Sequence, residues 1–254
     1  YENHFSHAQL GGNKIDLNLD TLLVSNNLDK FIYDSKFMTF WITYSAHMPY
    51  QYTKPECDEN IDYIKSKFDS DNEEYLCAMS EAKVTDDSIK ILIDALEKQG
   101  KLDDTVLVFF TDHYAYSMDK DMVANIKNET DKNMLTKTPF FIYDNGNHVE
   151  TIDKVNSTVD ILPTIADLFG LNYNPNIYFG DSIFSDNYNG FVVFNDGSWY
   201  DGNIYYKTNT KIENVDEKYI SEMNSYTKDL LTLGGKIIET DYFRKVDINS
   251  ISKN

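Results

Sequence analysis

Thr105-Val-Leu-Val-Phe-Phe-Thr-Asp-His-Tyr114 opens as a run of β-branched, apolar and aromatic residues and closes with an aspartate beside a histidine. An apolar run of this kind is expected of a strand buried on both faces, as in a parallel sheet. Asp112 and His113 then fall at the carboxyl end of that strand, where open α/β sheets place their ligands. A carboxylate oxygen and an imidazole nitrogen are both donors for zinc or manganese. An Asp-His pair is also a common hydrogen-bonded structural pair, so its place after the strand is what gives it weight.

Upstream, Ile89, Leu92, Ile93 and Leu96 recur at helical spacing, and Gly100 marks the end of that helix. Its start lies at Asp86 or Asp87, or further back towards Tyr75. Before it, Met38 to Tyr44 (Met-Thr-Phe-Trp-Ile-Thr-Tyr) has the composition of a strand and runs into Ser-Ala-His-Met-Pro-Tyr, where Pro49 forces a turn or loop. Strand, helix and strand in this order predict a right-handed βαβ unit. His47 and His113 would then follow neighbouring strands and converge on one rim, although a loop histidine with no role fits His47 as well. His4, His7 and His148 have no such placement. The polar, acidic stretch from Lys54 to Glu74 reads as surface.

Downstream, Pro139 to Tyr143 predicts a short strand. Thr158 to Gly170 predicts an amphipathic helix with Val159, Leu162, Ile165, Ala166 and Phe169 inward and Pro163 near its first turn, where a missing N–H costs little. Aromatic and Gly/Asn/Asp residues alternate from Gly190 to Tyr206, which suggests short antiparallel strands, and Asp216 to Leu231 reads as helical. There are no repeats and no low-complexity linker. The expectation is an α/β domain over residues 1–175, a mostly parallel sheet with helices on both faces, and a small α+β extension over 176–254.

The 254 residues are 41% hydrophobic, enough for a core, and carry 42 acidic against 23 basic side chains. A net charge of −19 repels nucleic-acid phosphates and argues against a nucleic-acid partner. An acidic protein acting on an anionic substrate needs a local positive charge, which a divalent ion supplies; the acidity also serves solubility. Cys57 and Cys77 fit no metal-ligand spacing and leave open one disulfide or two separate thiols, with separate thiols preferred. No stretch is apolar for long enough to cross a bilayer. The opening Tyr-Glu-Asn-His-Phe-Ser-His does not read as a signal peptide, and the chain reads as a piece of something longer.

Thr111-Asp-His-Tyr after a strand resembles the metal-binding Asp-His of the alkaline phosphatase/sulfatase superfamily. Further segments resemble lipoteichoic acid synthase-like proteins: Ile42-Thr-Tyr-Ser-Ala-His-Met-Pro-Tyr50, Leu96-Glu-Lys-Gln-Gly-Lys-Leu-Asp-Asp-Thr-Val106, Val159-Asp-Ile-Leu-Pro-Thr-Ile165, Tyr178-Phe-Gly-Asp-Ser-Ile-Phe184, Phe194-Asn-Asp-Gly-Ser-Trp199 and Asp241-Tyr-Phe-Arg244. The matches are collinear over residues 38 to 245. Phe194 stands where that family carries an arginine.

The resemblance implies that Asp112 and His113 bind a divalent ion, manganese or else zinc, magnesium or calcium, and that His47 contacts the substrate phosphate. It implies a glycerol-phosphate transferase using phosphatidylglycerol or another anionic ester. The enzyme would work at the outer face of a Gram-positive-type membrane and be held there by an N-terminal segment. The family's threonine nucleophile and its first acidic ligand lie upstream. Residues 1–37 hold no strand followed by a glutamate site and no nucleophile loop, and Thr21 sits in an apparent helix. By this reading the chain alone lacks catalytic residues and does not turn over. The rival readings are a sulfatase or phosphodiesterase of the same superfamily, and a non-catalytic scaffold of that fold.

Overall fold

The strongest helical periodicity of the sequence becomes the longest helix. In the computed structural model, which describes residues 3–146 and 149–251, helix α4 runs over Glu73–Lys98, 26 residues. Its start is further upstream than the apolar pattern alone marks, at Asn72, whose side chain accepts a hydrogen bond from Tyr75 N at 2.8 Å. Glu73 and Glu74 add negative charge where the helix dipole favours it. Gly100, at φ +65°, closes the other end in the left-handed conformation that glycine adopts without strain.

The chain forms two compact units, Tyr1–Val149 and Glu150–Asn254. In the first, the short helices α1 (Asp20–Ser25), α2 (Pro55–Asp58) and α3 (Ile61–Lys67) all pack on α4. One core cluster gathers Phe31, Ile32, Leu96, Leu102 and Leu107, with Leu28, Phe37, Trp41, Leu92 and Phe109 against it. Phe31 meets Phe37 and Trp41 edge-on, at 5.0 and 5.8 Å between ring centroids. A second cluster joins Ala78 to Met118 and Val123 of the segment around α5 (Lys120–Lys127), with Tyr50 and Tyr114 beside it.

Strand β1 covers Leu107–Phe110 and pairs antiparallel with β2, Phe140–Tyr143, in a two-stranded sheet. Both were expected as strands, but the parallel sheet was not realised among the described residues. Met38 to Tyr44 is not a strand there either. Its Trp41 anchors in the core while Met38, Phe40 and Ile42 stay exposed, and a ladder requires a partner that the described residues do not supply. β1 is also not buried on both faces. Leu107 is inside but Phe110 is exposed, because a two-stranded ribbon leaves one face uncovered.

The stretch from Lys54 to Glu74 is not simply surface. It holds α2 and α3, and Glu56, Cys57 and Ile64 are buried. The two cysteines form a disulfide between α2 and α4, against the separate thiols that were preferred, because packing of the two helices brings residues 20 apart in the chain together.

In the second unit, a single turn at Thr158–Asp160 leads into α6, Ile161–Leu168. The inward face differs from the apolar stripe. Asp160, Ile161, Pro163, Thr164 and Ala166 are buried, whereas Val159, Leu162 and Phe169 are exposed. Polar anchors set this rotation. Asp160 caps the Ser157 amide and accepts from Asp181 N and Tyr188 Oη, while Thr164 Oγ1 accepts from Ile183 N at 3.1 Å. A buried carboxylate left unbonded costs more than an exposed leucine, so the hydrogen-bonded face wins. Gly180 permits the close approach: a Cβ there would stand 2.3 Å from Val159 O.

The expected short antiparallel strands are β3 (Val192–Val193), β4 (Trp199–Tyr200) and β5 (Tyr205–Tyr206), in sheet order β3-β4-β5. Trp199 is fully buried, stacks on Tyr206 and donates to Asn224 Oδ1 at 2.8 Å. That bond ties the sheet to the long helix α7, Glu217–Thr240, which starts where expected and runs further. A four-residue helix, α8 (Tyr242–Lys245), follows it.

Candidate functional site

Asp112 and His113 follow the last residue of β1 by one threonine, so the strand fixes where they leave the sheet. The His113 ring is about one-third exposed and the Asp112 carboxylate far more so. His113 Nδ1 lies 2.9 Å from the carbonyl oxygen of Tyr114. A carbonyl only accepts, so Nδ1 carries the proton and a neutral ring leaves its Nε2 lone pair free. That Nε2 stands 3.6 Å from Asp112 Oδ1, too far for a hydrogen bond.

His47 repeats the device. Its Nδ1 lies 2.6 Å from the Met48 carbonyl oxygen, which again leaves Nε2 open. The two imidazoles meet edge to face, 5.8 Å between centroids. Tyr44 stacks on His47 at 5.0 Å and Tyr116 packs on His113 at 4.9 Å. The structure thus brings His47, Asp112 and His113 to one rim of the first unit. His4 is exposed and His7 lies over Gly12, while His148 falls outside the described residues.

The loop that carries His47 is held residue by residue. The buried Asp20 carboxylate accepts from Tyr44 N at 2.7 Å, Ser45 N at 3.2 Å and Thr85 Oγ1 at 2.7 Å. Ser45 Oγ accepts from Asp20 N and donates to Asn18 O. Tyr50 Oη donates to Ala46 O at 3.3 Å, and Lys54 Nζ donates to His47 O at 2.7 Å. Lys54 is itself paired with Glu81 Oε2 at 2.9 Å. Sequence reasoning found the two histidines but neither Asp20 nor the Lys54–Glu81 pair, because partners this far apart in the chain leave no local pattern.

Glu81 is fully buried, and its Oε1 has no hydrogen-bond partner among the described residues. Burial pushes its carboxyl up to about 7, against the pull of Lys54 and helped by the nearby Glu56. A folded-state value raised above the unfolded one gives stability that is complete below the unfolded value. That stability is lost as pH rises through the folded one. Between about pH 4.5 and 7 this group therefore makes the fold less stable as pH rises. Glu81→Gln should flatten that part of a urea-midpoint profile, and an unchanged slope would refute the assignment.

Two donors on one divalent ion, each about 2.1 Å from it, stand roughly 3 to 3.5 Å apart. Asp112 Oδ1 and His113 Nε2, 3.6 Å apart, are near that spacing. They therefore fit a metal as part of its donor set. No group of three or more His, Cys, Asp or Glu suited to an ion occurs among the described residues.

Comparison with known proteins gives a family model described as Sulfatase that matches residues 11–171. The lipoteichoic acid synthase-like protein YvgJ of Bacillus subtilis is 26% identical, over 82% of this chain and 35% of its own length. Lipoteichoic acid synthase 2 of the same bacterium is 27% identical over 82% of this chain and 33% of its own length. Lipoteichoic acid synthase of Staphylococcus aureus is 25% identical over 83% and 33%. The chain thus spans about a third of the length of these relatives.

Proposed function

The chain belongs to the sulfatase family, and on that premise we propose that it forms the metal- and phosphate-binding part of a lipoteichoic acid synthase-like phosphotransferase. Such an enzyme moves glycerol phosphate from phosphatidylglycerol to a surface polymer. The observation that carries the reading is the single rim on which Asp112, His113 and His47 meet, with both imidazole Nε2 atoms open.

Asp112 Oδ1 and His113 Nε2 would hold the divalent ion, manganese by family likeness. When bound, that ion supplies Lewis-acid neutralisation of charge on the ester oxygens. His47 acts beside it. With Nδ1–H committed to Met48 O, its Nε2 can take a proton from an attacking or accepting hydroxyl and then present an N–H to an anionic oxygen. The stacked Tyr44 keeps the ring from turning away. The nucleophile and the remaining ligands belong to the longer protein, whose upstream strands would also continue the sheet in parallel beside Met38 to Tyr44. No described helix is long and apolar enough to cross a membrane. We place the parent enzyme at the outer face of a Gram-positive-type membrane through other segments.

A hydrolase of the same family, acting on a sulfate or phosphate diester, is the second reading, and the family match itself favours keeping it. Phosphatidylglycerol vesicles and an aryl sulfate, each offered with manganese to the complete protein, separate the two. Diacylglycerol release with glycerol phosphate recovered on polymer and no sulfate release is the expected result, whereas diacylglycerol with free glycerol phosphate would mark a phosphodiesterase. Sulfate release alone would replace the transferase with a sulfatase, and inertness towards both would leave a scaffold domain. Phe194 in place of the family's arginine gives the scaffold reading its one point of support.

A further inference from the structure

Lys54 stands at a junction of the site loop, α2 and α4. Its ammonium donates to His47 O at 2.7 Å and to Glu81 Oε2 at 2.9 Å, and lies 5.8 Å from the centroid of the Tyr44 ring that stacks on His47. Only 15% of its side chain is exposed, and none of that of Glu81. Two further links cross between the same helices within a few residues. Cys57 of α2 is disulfide-bonded to Cys77 of α4, one turn before Glu81. Ser80 Oγ donates to Cys57 O at 2.6 Å and accepts from Asn60 N at 3.1 Å.

We propose that Lys54 and Glu81 are positioning residues for His47, clamping its loop so that the imidazole keeps a fixed place beside His113. A buried ion pair is a poor source of stability, since desolvation offsets most of its attraction. Its geometric constraint is strong, however, because a donor that reaches a carboxylate and a carbonyl at once fits one arrangement of both. The carboxylate is anchored by α4, the rigid element of the unit. The carbonyl belongs to the residue whose side chain reads the substrate. The His47 Nδ1 bond to Met48 O is local and travels with the loop, so it cannot set the loop's position. The Asp20 contacts fix Tyr44 and Ser45, and His47 N donates back to Tyr44 O at 2.8 Å, so Lys54 is the group that ties the His47 carbonyl to α4.

The functional consequence rests on His47 contacting the substrate, but the clamp can be observed without it. In the 254-residue chain, imidazole-nitrogen and backbone-amide NMR signals of His47 are compared among wild type, Lys54→Met, Lys54→Arg and the neutral double variant Lys54→Met/Glu81→Gln. The double variant removes both charges, so no lone buried charge threatens the fold. Expected are shifted His47 imidazole and backbone-amide signals in both Met variants, with the Nδ1-protonated form kept because its Met48 O partner moves with the loop. Lys54→Arg, which keeps the cationic donor, keeps the wild-type signals. In the complete protein, Lys54→Met should lower turnover on the order of 10²-fold with metal content unchanged, as displacement of a reacting group by about an ångström does. Identical His47 signals in wild type and both Met variants would overturn the clamp. Full turnover by His47→Ala would instead remove His47 from the reaction, while the signal changes in the Met variants would still establish the clamp.

Discussion

Asp112→Ala and His113→Ala should each abolish divalent-metal retention and lower turnover of the complete protein by at least about 10²-fold, the usual cost of one lost electrostatic stabiliser at a reacting phosphoryl group. The two donors stand 3.6 Å apart with the Nε2 lone pair open, and the described residues offer no third His, Cys, Asp or Glu to compensate. The charge balance amplifies the effect. A chain at −19 repels an anionic ester, so removing the ion removes both the attraction and the chemistry. Metal analysis by mass spectrometry and manganese titration calorimetry measure the first quantity, and diacylglycerol release measures the second. His113→Ala with wild-type metal content would remove His113 from the donor set. Metal loss without loss of turnover would show that the ion is structural.

The second large effect concerns the fold. Cys57 and Cys77, separated by 20 residues, close a loop that contains Asn60, α3 and the start of α4. Releasing such a loop into the unfolded state costs about 3 kcal/mol in chain entropy. Cys57→Ser/Cys77→Ser should therefore unfold at clearly lower urea than wild type, and a reductant should move wild type by the same amount while leaving the variant unmoved. The loss should also reach the site, because α2 carries the chain that follows Lys54. A shift below about 1 kcal/mol would mean that packing of α2 on α4 needs no covalent help.

What the sequence disclosed and what it hid divide along one line, local against distant. Helix α4 could be read because its apolar spacing and its stop at Gly100 are local features. β1 and the Asp-His after it could be read for the same reason. Met38 to Tyr44 has a strand's composition without a strand's ladder, because pairing depends on a neighbour and not on the segment. The face of α6 was misread because hydrophobic spacing says nothing of Asp160 and Thr164 reaching the 181–183 backbone. The loop histidine His47 was legible as a candidate, but the groups that hold it were not. Asp20, Lys54 and Glu81 meet only after α1, α2 and α4 have packed, and nothing in their flanking residues announces the encounter.

Helix α4 contributes to three tasks at once: Leu96 to the core, Thr85 to the Asp20 network and Glu81 to the base of the His47 loop. Side chains of one rigid rod cannot be released separately. In terms of hydrogen exchange, the amides of Tyr44 and Ser45 belong to no regular element, yet both are bonded to a carboxylate anchored by that rod. Their exchange should then follow the opening of α4 and not the rapid fraying of a surface loop, so that the rim and the helix form one cooperative unit. The geometry needed for chemistry is thereby protected by the same free energy that protects the core.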